Sequence, residues 1–182
     1  MKTPMFKKSH LLLFILSFII SSLSYGQGWK PELEKDSKEA LSKMIADAPN
    51  LQTFKDQAYG YAVYPKITKA GLVIGGAAGE GVVFVKGGDA IGRSKLKQGS
   101  FGLQAGGQQY SEVIFFQHKE AFEKFKNGNL KFNAQASAVA IVPGASCDVA
   151  YQDGVAVFTR VKGGLRAEAS LGGQHFSFVP VE

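Results

Sequence analysis

The stretch Lys69–Lys86, KAGLVIGGAAGEGVVFVK, carries glycines at positions 71, 75, 76, 79 and 81 of an otherwise apolar run. Three kinds of structure explain such a run: a phosphate-binding loop, a membrane-spanning helix with glycines on one face, or β-strands that pack unusually close to a neighbour. The choice decides the fold, because only the last interpretation places the stretch in a β-rich domain.

A phosphate-binding loop is the first alternative, and it lacks the residue that would meet the phosphates. Such a loop has a lysine directly after its last glycine, and here Val82 follows Gly81. The dinucleotide-binding pattern G-x-G-x-x-G also fails, because Phe84 takes the place of the third glycine. The sequence therefore disfavours a nucleotide site.

A membrane helix is the second alternative. Gly71, Gly75 and Gly79 have the four-residue spacing that lets membrane helices approach closely. However, a span needs about 20 apolar residues, and this run is shorter, contains Glu80 and ends in the β-type sequence V-V-F-V. Closely packed strands are therefore the favoured interpretation.

The first 26 residues have the three parts of a secretory signal peptide. They are a basic start, the apolar stretch Leu11–Ile20, and the small residues Ser24 and Gly26 before the cleavage point. The single cysteine, Cys147, lies far from that point, so we expect no acylated cysteine. We expect one domain, residues 27–182, in the periplasm or outside the cell.

The charge of that domain is moderately positive. Three of the 21 basic residues lie in the signal peptide, which leaves 18 basic residues against 15 acidic ones in residues 27–182. Such an excess suits an anionic surface without requiring one.

The segment Trp29–Ala48 predicts an amphipathic helix, because its apolar residues recur at helical spacing. Such a helix either docks on the core of its own domain or lies in a lipid interface with Trp29 at headgroup level. Docking is favoured, since the charges on its polar face alternate in sign and are not mainly basic.

Two shorter helices follow. Leu51, Phe54 and Ala58 have the spacing of one further helical turn, and Lys119–Lys126 places its apolar residues on one face before Asn127 and Gly128 end it.

The remaining segments alternate with a period of two and predict strands. They are Tyr59–Tyr64, Val82–Lys86, Ile91–Leu96, Phe101–Gln117 (as two strands or one bent at Gly106-Gly107), Leu130–Val142, Asp148–Ala150, Gly154–Lys162 and Leu165–Val179. We therefore predict an α+β fold: a glycine-rich antiparallel β-barrel or sandwich with an N-terminal amphipathic helix and one short helix between strands.

No catalytic or metal-binding motif is visible. Residues 27–182 contain only His118 and His175, which stand far apart, and no G-x-S-x-G elbow is present. Glu80 and Glu168 stand among small residues, where a carboxylate needs a partner, and a structural ion pair is favoured over catalysis for both. We expect neither an enzyme, nor a cofactor, nor a metal.

Basic residues form three groups that would make a cationic patch if their strands and loops share one end of the domain. They are Lys66 with Lys69; Arg93, Lys95 and Lys97 on alternate strand positions; and Arg160, Lys162 and Arg166 around a glycine turn. Together with Trp29 they are the candidate lipid-binding residues. A solvated lysine face without function is the alternative. No nucleic-acid-binding module is present, and secretion would remove the chain from nucleic acid.

Several motifs, in matching order and spacing, give the chain a clear resemblance to the SYLF domain family. They are the N-terminal helix, A-Y-G-Y-A-V-Y-P-K-I-T-K-A-G at Ala58–Gly71, G-E-G-V-V at Gly79–Val83, F-G-L-Q-A-G-G at Phe101–Gly107, L-K-F-N-A-Q-A-S at Leu130–Ser137 and G-L-R-A-E-A-S-L-G-G at Gly164–Gly173.

The resemblance implies a non-enzymatic domain that binds acidic phospholipids through an N-terminal amphipathic helix and basic residues. Eukaryotic members bind phosphoinositides and actin, but the signal peptide makes both partners unexpected for this chain. Bacterial members resemble secreted or periplasmic lipid-binding proteins. The alternative hypothesis is a structural or assembly protein of the cell envelope, acting through protein–protein packing; the lipid and the oligomeric state stay open.

Overall fold

The computed structural model describes residues 28–71, 74–101, 106–130, 139–140, 151–161, 164–168 and 173–181. Three helices lie in this part of the chain: α1 (Pro31–Asp47), α2 (Leu51–Gln57) and α3 (Lys119–Lys126). Its strands are β1 (Gly60–Gly71), β2 (Ile74–Val85), β3 (Ala90–Phe101), β4 (Gly106–Phe116), β5 (Val139–Ala140), β6 (Val155–Val161), β7 (Gly164–Glu168) and β8 (Gln174–Pro180). None of the described helices has the length and apolar character needed to cross a membrane.

All eight strands form one sheet in the order β5-β7-β6-β4-β1-β2-β3-β8, and every pairing is antiparallel. The predicted antiparallel α+β class is confirmed. Among the described residues the order of strands is open, so neither a closed barrel nor a two-sheet sandwich is confirmed. Short strands joined by glycine turns occur in all three architectures, because local pattern does not determine how a sheet closes.

The sheet is nevertheless strongly coiled. Strands β4 and β8 stand four places apart, which would separate them by about 19 Å in a flat sheet. The side chain of Gln174 on β8 still donates a hydrogen bond from Nε2 to Oε2 of Glu112 on β4, over 3.3 Å. The concave side of the sheet is therefore an interior, lined by strands that are not neighbours.

The glycine-rich stretch Lys69–Lys86 contains the end of β1 and all of β2, as the strand interpretation predicts. A register shift in β1 between Val63 and Lys66 moves Tyr64 over the neighbouring strand. A Cβ on Gly81 would lie 2.6 Å from Cδ1 of Tyr64, and one on Gly79 would lie 2.7 Å from Cγ1 of Ile67. Only hydrogen fits at these two positions.

Each face of the sheet has its own core. On the convex side, here called the outer face, α1 and α2 cover residues such as Val63, Phe84 and Phe158. On the concave side, the inner face, α3 packs Phe122 and Phe125 among further aromatic and aliphatic residues. The two cores are separate because alternate residues of each strand point to opposite faces.

Docking of α1 on the domain is confirmed. Met44 is completely buried, and so is Ser37, whose hydroxyl donates a hydrogen bond to the carbonyl oxygen of Val63 over 3.3 Å. The helix begins two residues later than predicted and ends one residue earlier. Ser37, a polar residue on the buried side of α1, thus contacts β1 next to the register shift.

The other helices also agree with the prediction, and α3 matches it residue for residue. His118 precedes α3 and accepts a hydrogen bond at Nδ1 from the N–H of Ala121, which gives this histidine a structural role. Of the predicted strand Leu130–Val142, only Val139–Ala140 lies within the described residues. The predicted strand Asp148–Ala150 and Cys147 lie outside them.

Candidate functional site

Three of the predicted lipid-binding lysines lie together on the outer face. Lys66 on β1 and Lys95 on β3 stand opposite Glu80 of β2, one on each side, and Lys97 lies two residues beyond Lys95 on the same face. All three side chains are exposed. Among the described residues, none of the three forms an ion pair or a hydrogen bond.

Small residues surround these lysines. Thr68, Ala78 and Lys97 are cross-strand neighbours on β1, β2 and β3, and Gly99 follows on β3. A shallow depression of about 420 Å³ lies here, with His175 of β8 at its rim. We call this uncovered surface, with Lys66, Lys95, Lys97, Thr68, Ala78 and Gly99, the basic face.

Glu80 has the ion-pair partners that the sequence leaves unnamed. Its Oε2 lies 2.6 Å from Nζ of Lys30, before α1, and its Oε1 lies 3.1 Å from Nη1 of Arg93. Partial burial by itself raises the pKa of Glu80, but the hydrogen bond from Lys30 and the charges of Lys30, Arg93 and Lys95 outweigh it, and the pKa is lowered. Glu80 is therefore a carboxylate that ties α1 to the sheet.

Arg93 belongs to the ion-pair cluster of Glu80 and Lys30 and is hardly accessible at the surface. Only 7% of its side chain is exposed. The alternation that places Arg93, Lys95 and Lys97 on one face is present, but burial and the contact with Glu80 separate Arg93 from the two exposed lysines.

A groove of about 570 Å³ runs between α1 and the outer face. From the helix it is lined by Leu33, Asp36, Glu39, Ala40 and Lys43, and from the sheet by Pro65, Lys66, Glu80, Ser111 and Arg160. We call it the α1 groove. It adjoins the basic face at Lys66, which lines both.

Arg160 ties the other end of α1 to the sheet. Its Nε lies 2.5 Å from Oδ2 of Asp47, the last residue of the helix. The ion pairs of Glu80 and Arg160 thus hold both ends of the helix above strands β2 and β6.

Two further candidates, Trp29 and Lys69, are not part of the basic face. Trp29 is half-buried and packs against the outer-face core. Lys69 stands opposite Ala77, which belongs to the inner-face core. Lys162 and the side chains of Arg166 and Glu168 lie outside the described residues; the backbones of Arg166 and Glu168 pair with β6.

A buried polar cluster on the inner face escaped the sequence prediction. Glu112 is completely buried beside Gln174, and the hydroxyls of Tyr64 and Ser94 lie 2.7 Å apart. Burial raises the pKa of Tyr64 well above its ordinary value. The available signal was the alternation in S-E-V-I-F-F, which places Glu112 on the same face as Ile114 and Phe116.

The arrangement on the basic face can attract anions. Among the described residues, no group of three His, Cys, Asp or Glu side chains is placed to hold a metal ion. The exposed lysines give this surface a positive charge, and the small residues between them leave it nearly flat.

Comparison with known proteins identifies a family model and a relative that match this chain. The model of the family described as "Ysc84: Las17-binding protein actin regulator" matches residues 97–178. The chain is also similar to "Beta cell expansion factor A" of Aeromonas veronii, with 28% identity over 144 residues, 75% of this chain and 52% of that protein. The chain thus spans about half the length of this curated relative. The match over residues 97–178 is to the Ysc84, or SYLF, family, and it confirms the resemblance drawn from the sequence motifs.

Proposed function

We propose that the protein binds anionic phospholipids peripherally through the basic face and catalyses no reaction. The observation that carries the proposal is the position of Lys66, Lys95 and Lys97, three exposed cations without ion-pair partners among the described residues, on one uncovered surface of the sheet.

The shape of this surface supports the proposal. Thr68, Ala78 and Gly99 are too short to hold a bilayer away from the lysines, so the charges can approach the lipid phosphates. Glu80, the acidic residue at the border of the face, is already engaged by Lys30 and Arg93. An anionic headgroup therefore meets little repulsion there.

The expected binding is reversible and sensitive to salt. Each lysine near an anionic membrane surface contributes about 1 kcal/mol, so three lysines give weak attachment that added salt screens. The proposed location is the periplasm or the outside of the cell, as the N-terminal leader suggests. Actin and phosphoinositides of the cytosolic leaflet are not proposed as partners, because secretion would separate the chain from both.

Vesicle cosedimentation tests the proposal. We expect binding to vesicles of phosphatidylcholine with phosphatidylglycerol, weaker binding at 500 mM than at 50 mM salt, and little binding to phosphatidylcholine alone. Equal binding to both vesicle types, or none to either, would contradict it. In the latter case a stable homo-oligomer in light scattering would favour the envelope-assembly hypothesis.

A charge-matched pair of variants locates the surface. Lys95→Gln removes about 1 kcal/mol and weakens binding to the acidic vesicles about fivefold. Lys119→Gln changes an exposed lysine on α3, on the opposite side of the sheet, and is expected to change binding little. Similar losses in a Lys119→Gln variant would show that charge acts without a defined surface.

A further inference from the structure

We propose that the α1 groove binds a small zwitterion, with an ammonium group and an oxyanion a few ångströms apart, as in the phosphoethanolamine headgroup. This site differs from the basic face, which needs only negative charge in its ligand. The inference rests on which charges line the groove and which of them are already paired.

The two walls of the groove come from different elements. Leu33, Asp36, Ala40 and Lys43 follow helical spacing and form one flank of α1. The sheet wall is a row across neighbouring strands: Arg160 of β6 pairs with Ser111 of β4, followed by Lys66 of β1 and Glu80 of β2. The helix wall carries the acidic side chains of Asp36 and Glu39, while the sheet wall carries Lys66 and Arg160.

Most charges in the groove are already paired with their neighbours. Glu39 lies 2.6 Å from Lys43, and Glu80 lies 2.6 Å from Lys30. Arg160 uses Nε for Asp47. Six charged residues line the groove. Among the described residues, the side chains of Asp36 and Lys66 are the only two of these six that form no ion pair and no hydrogen bond. Two exposed charges of opposite sign thus face one groove from opposite walls.

Those two charges suit the two ends of a zwitterion. An ammonium group has three donors for the carboxylate of Asp36. Arg160, two strands away from Lys66, lines the same groove, and its terminal nitrogens form no hydrogen bond in the described part of the chain. The Ser111 hydroxyl donates to the carbonyl oxygen of Pro65 over 2.9 Å, so its oxygen can still accept a bond from the ammonium group.

Simple ions fit the groove less well. A free anion would face the carboxylates of Asp36 and Glu39, and a free cation would face Lys66 and Arg160. Leu33 and Ala40 add apolar surface for the carbon atoms between the charged ends. The volume of about 570 Å³ lies within the range of small-molecule sites.

Calorimetric titration of the full chain with soluble compounds tests this inference. We expect phosphoethanolamine to bind at least about tenfold more tightly than phosphocholine, whose quaternary nitrogen has no N–H to donate to Asp36. Inorganic phosphate is expected to bind more weakly as well. Equal affinities for the three compounds, or no binding of phosphoethanolamine, would overturn the inference.

Charge-neutralising variants separate this groove from the basic face. Asp36→Asn is expected to weaken phosphoethanolamine binding about tenfold while leaving binding to phosphatidylglycerol vesicles equal or stronger, since it removes a negative charge. Lys97→Gln is expected to weaken binding to phosphatidylglycerol vesicles and to leave phosphoethanolamine binding unchanged. Asp89→Asn, an exposed aspartate in the β2–β3 turn, is the matched control. If Asp36→Asn and Asp89→Asn behave alike, the groove is not the site.

Vesicles distinguish a lipid headgroup from a free metabolite as the source of the zwitterion. If the ligand is a lipid, phosphatidylethanolamine in phosphatidylcholine vesicles increases cosedimentation, and soluble phosphoethanolamine competes. If only the soluble compound binds, the ligand is free. The two proposals can be contradicted separately. Absence of binding to phosphatidylglycerol vesicles would contradict lipid binding at the basic face but not the proposal for the α1 groove. Absence of phosphoethanolamine binding would contradict the proposal for the groove but not the one for the basic face.

Discussion

Strands β1 and β2 carry large apolar residues at one end of the outer face and small or basic residues at the other. At the covered end, Val63 and Val82 are completely buried beneath α1. At the basic face, Thr68 and Ala78 occupy later and earlier positions of the same two strands and are exposed. The same strands therefore provide a docking surface for α1 at one end and an exposed surface at the other.

The size of the elements explains the difference. Strands β1, β2 and β3 each have 12 residues and extend about 40 Å. Helix α1, which lies over β1 and β2, covers only about 10 Å of that length. The part of each strand beyond the helix is left to solvent or to a ligand, and small or charged residues suit that setting.

The largest expected effect concerns the covered end. Met44→Ala would leave a cavity between α1 and the sheet and lower the free energy of unfolding by about 2–5 kcal/mol. Urea unfolding followed by circular dichroism measures it. Lys35→Ala, on the exposed side of the same helix, is the control and should change stability little. Equal losses in both variants would show that α1 does not depend on this contact.

The next effect compares two glycines of the same sheet. Gly81→Ala places a methyl group against Tyr64 and is expected to lower the free energy of unfolding by about 1–3 kcal/mol. Gly99→Ala, at the basic face, meets no atom within 4 Å and should cost less than about 0.5 kcal/mol. Thermal unfolding of both variants measures the difference, and Gly81→Ala should have the lower melting temperature. Similar melting temperatures would contradict the close packing at Gly81.

Glu80, at the border between the two ends, gives a pH-dependent effect. Because its pKa is lowered in the folded state, its contribution is complete above the ordinary carboxyl value near 4.3 and is lost as the pH falls below that value. Glu80→Gln is expected to lower the free energy of unfolding by about 1 kcal/mol at pH 7, with a smaller difference from the unmodified protein at pH 3. A difference that does not change between pH 7 and pH 3 would contradict the role of its charge.

The smallest effect on stability is expected at the basic face itself. Lys97→Gln should change the free energy of unfolding by less than about 0.5 kcal/mol, because Lys97 is exposed and forms no ion pair in the described part of the chain. The same change should weaken binding to acidic vesicles about fivefold. A large loss of stability would assign Lys97 to the fold and weaken the comparison.

The elements that depend on local pattern could be predicted from the sequence. Helices α1 and α3 were predicted within one or two residues, because their apolar residues repeat at helical spacing. Strand β1 was predicted to end at Tyr64 before Pro65, but it continues to Gly71, because the register shift at this point accommodates the proline. The length of a strand depends on its neighbours, which the local pattern does not contain.

The candidate site was predictable in part. The alternation of Lys95 and Lys97 placed them on one face, and the presence of Glu80 among glycines indicated a paired carboxylate. Its partner Lys30 lies 50 positions away in the chain, and no periodicity links two such residues. The same holds for Arg160 and Asp47, which are 113 positions apart.

The sequence by itself determined the helices, the antiparallel α+β class, and the need for closely packed strands at Lys69–Lys86, because spacing and glycine content act over a few residues. Only the tertiary structure decided that α1 covers one end of the outer face and leaves Lys66, Lys95 and Lys97 exposed at the other. It also brought Asp36 and Lys66 to opposite walls of one groove. These juxtapositions arise from the coiling of the sheet and the crossing of a helix, which bring together residues that are distant along the chain.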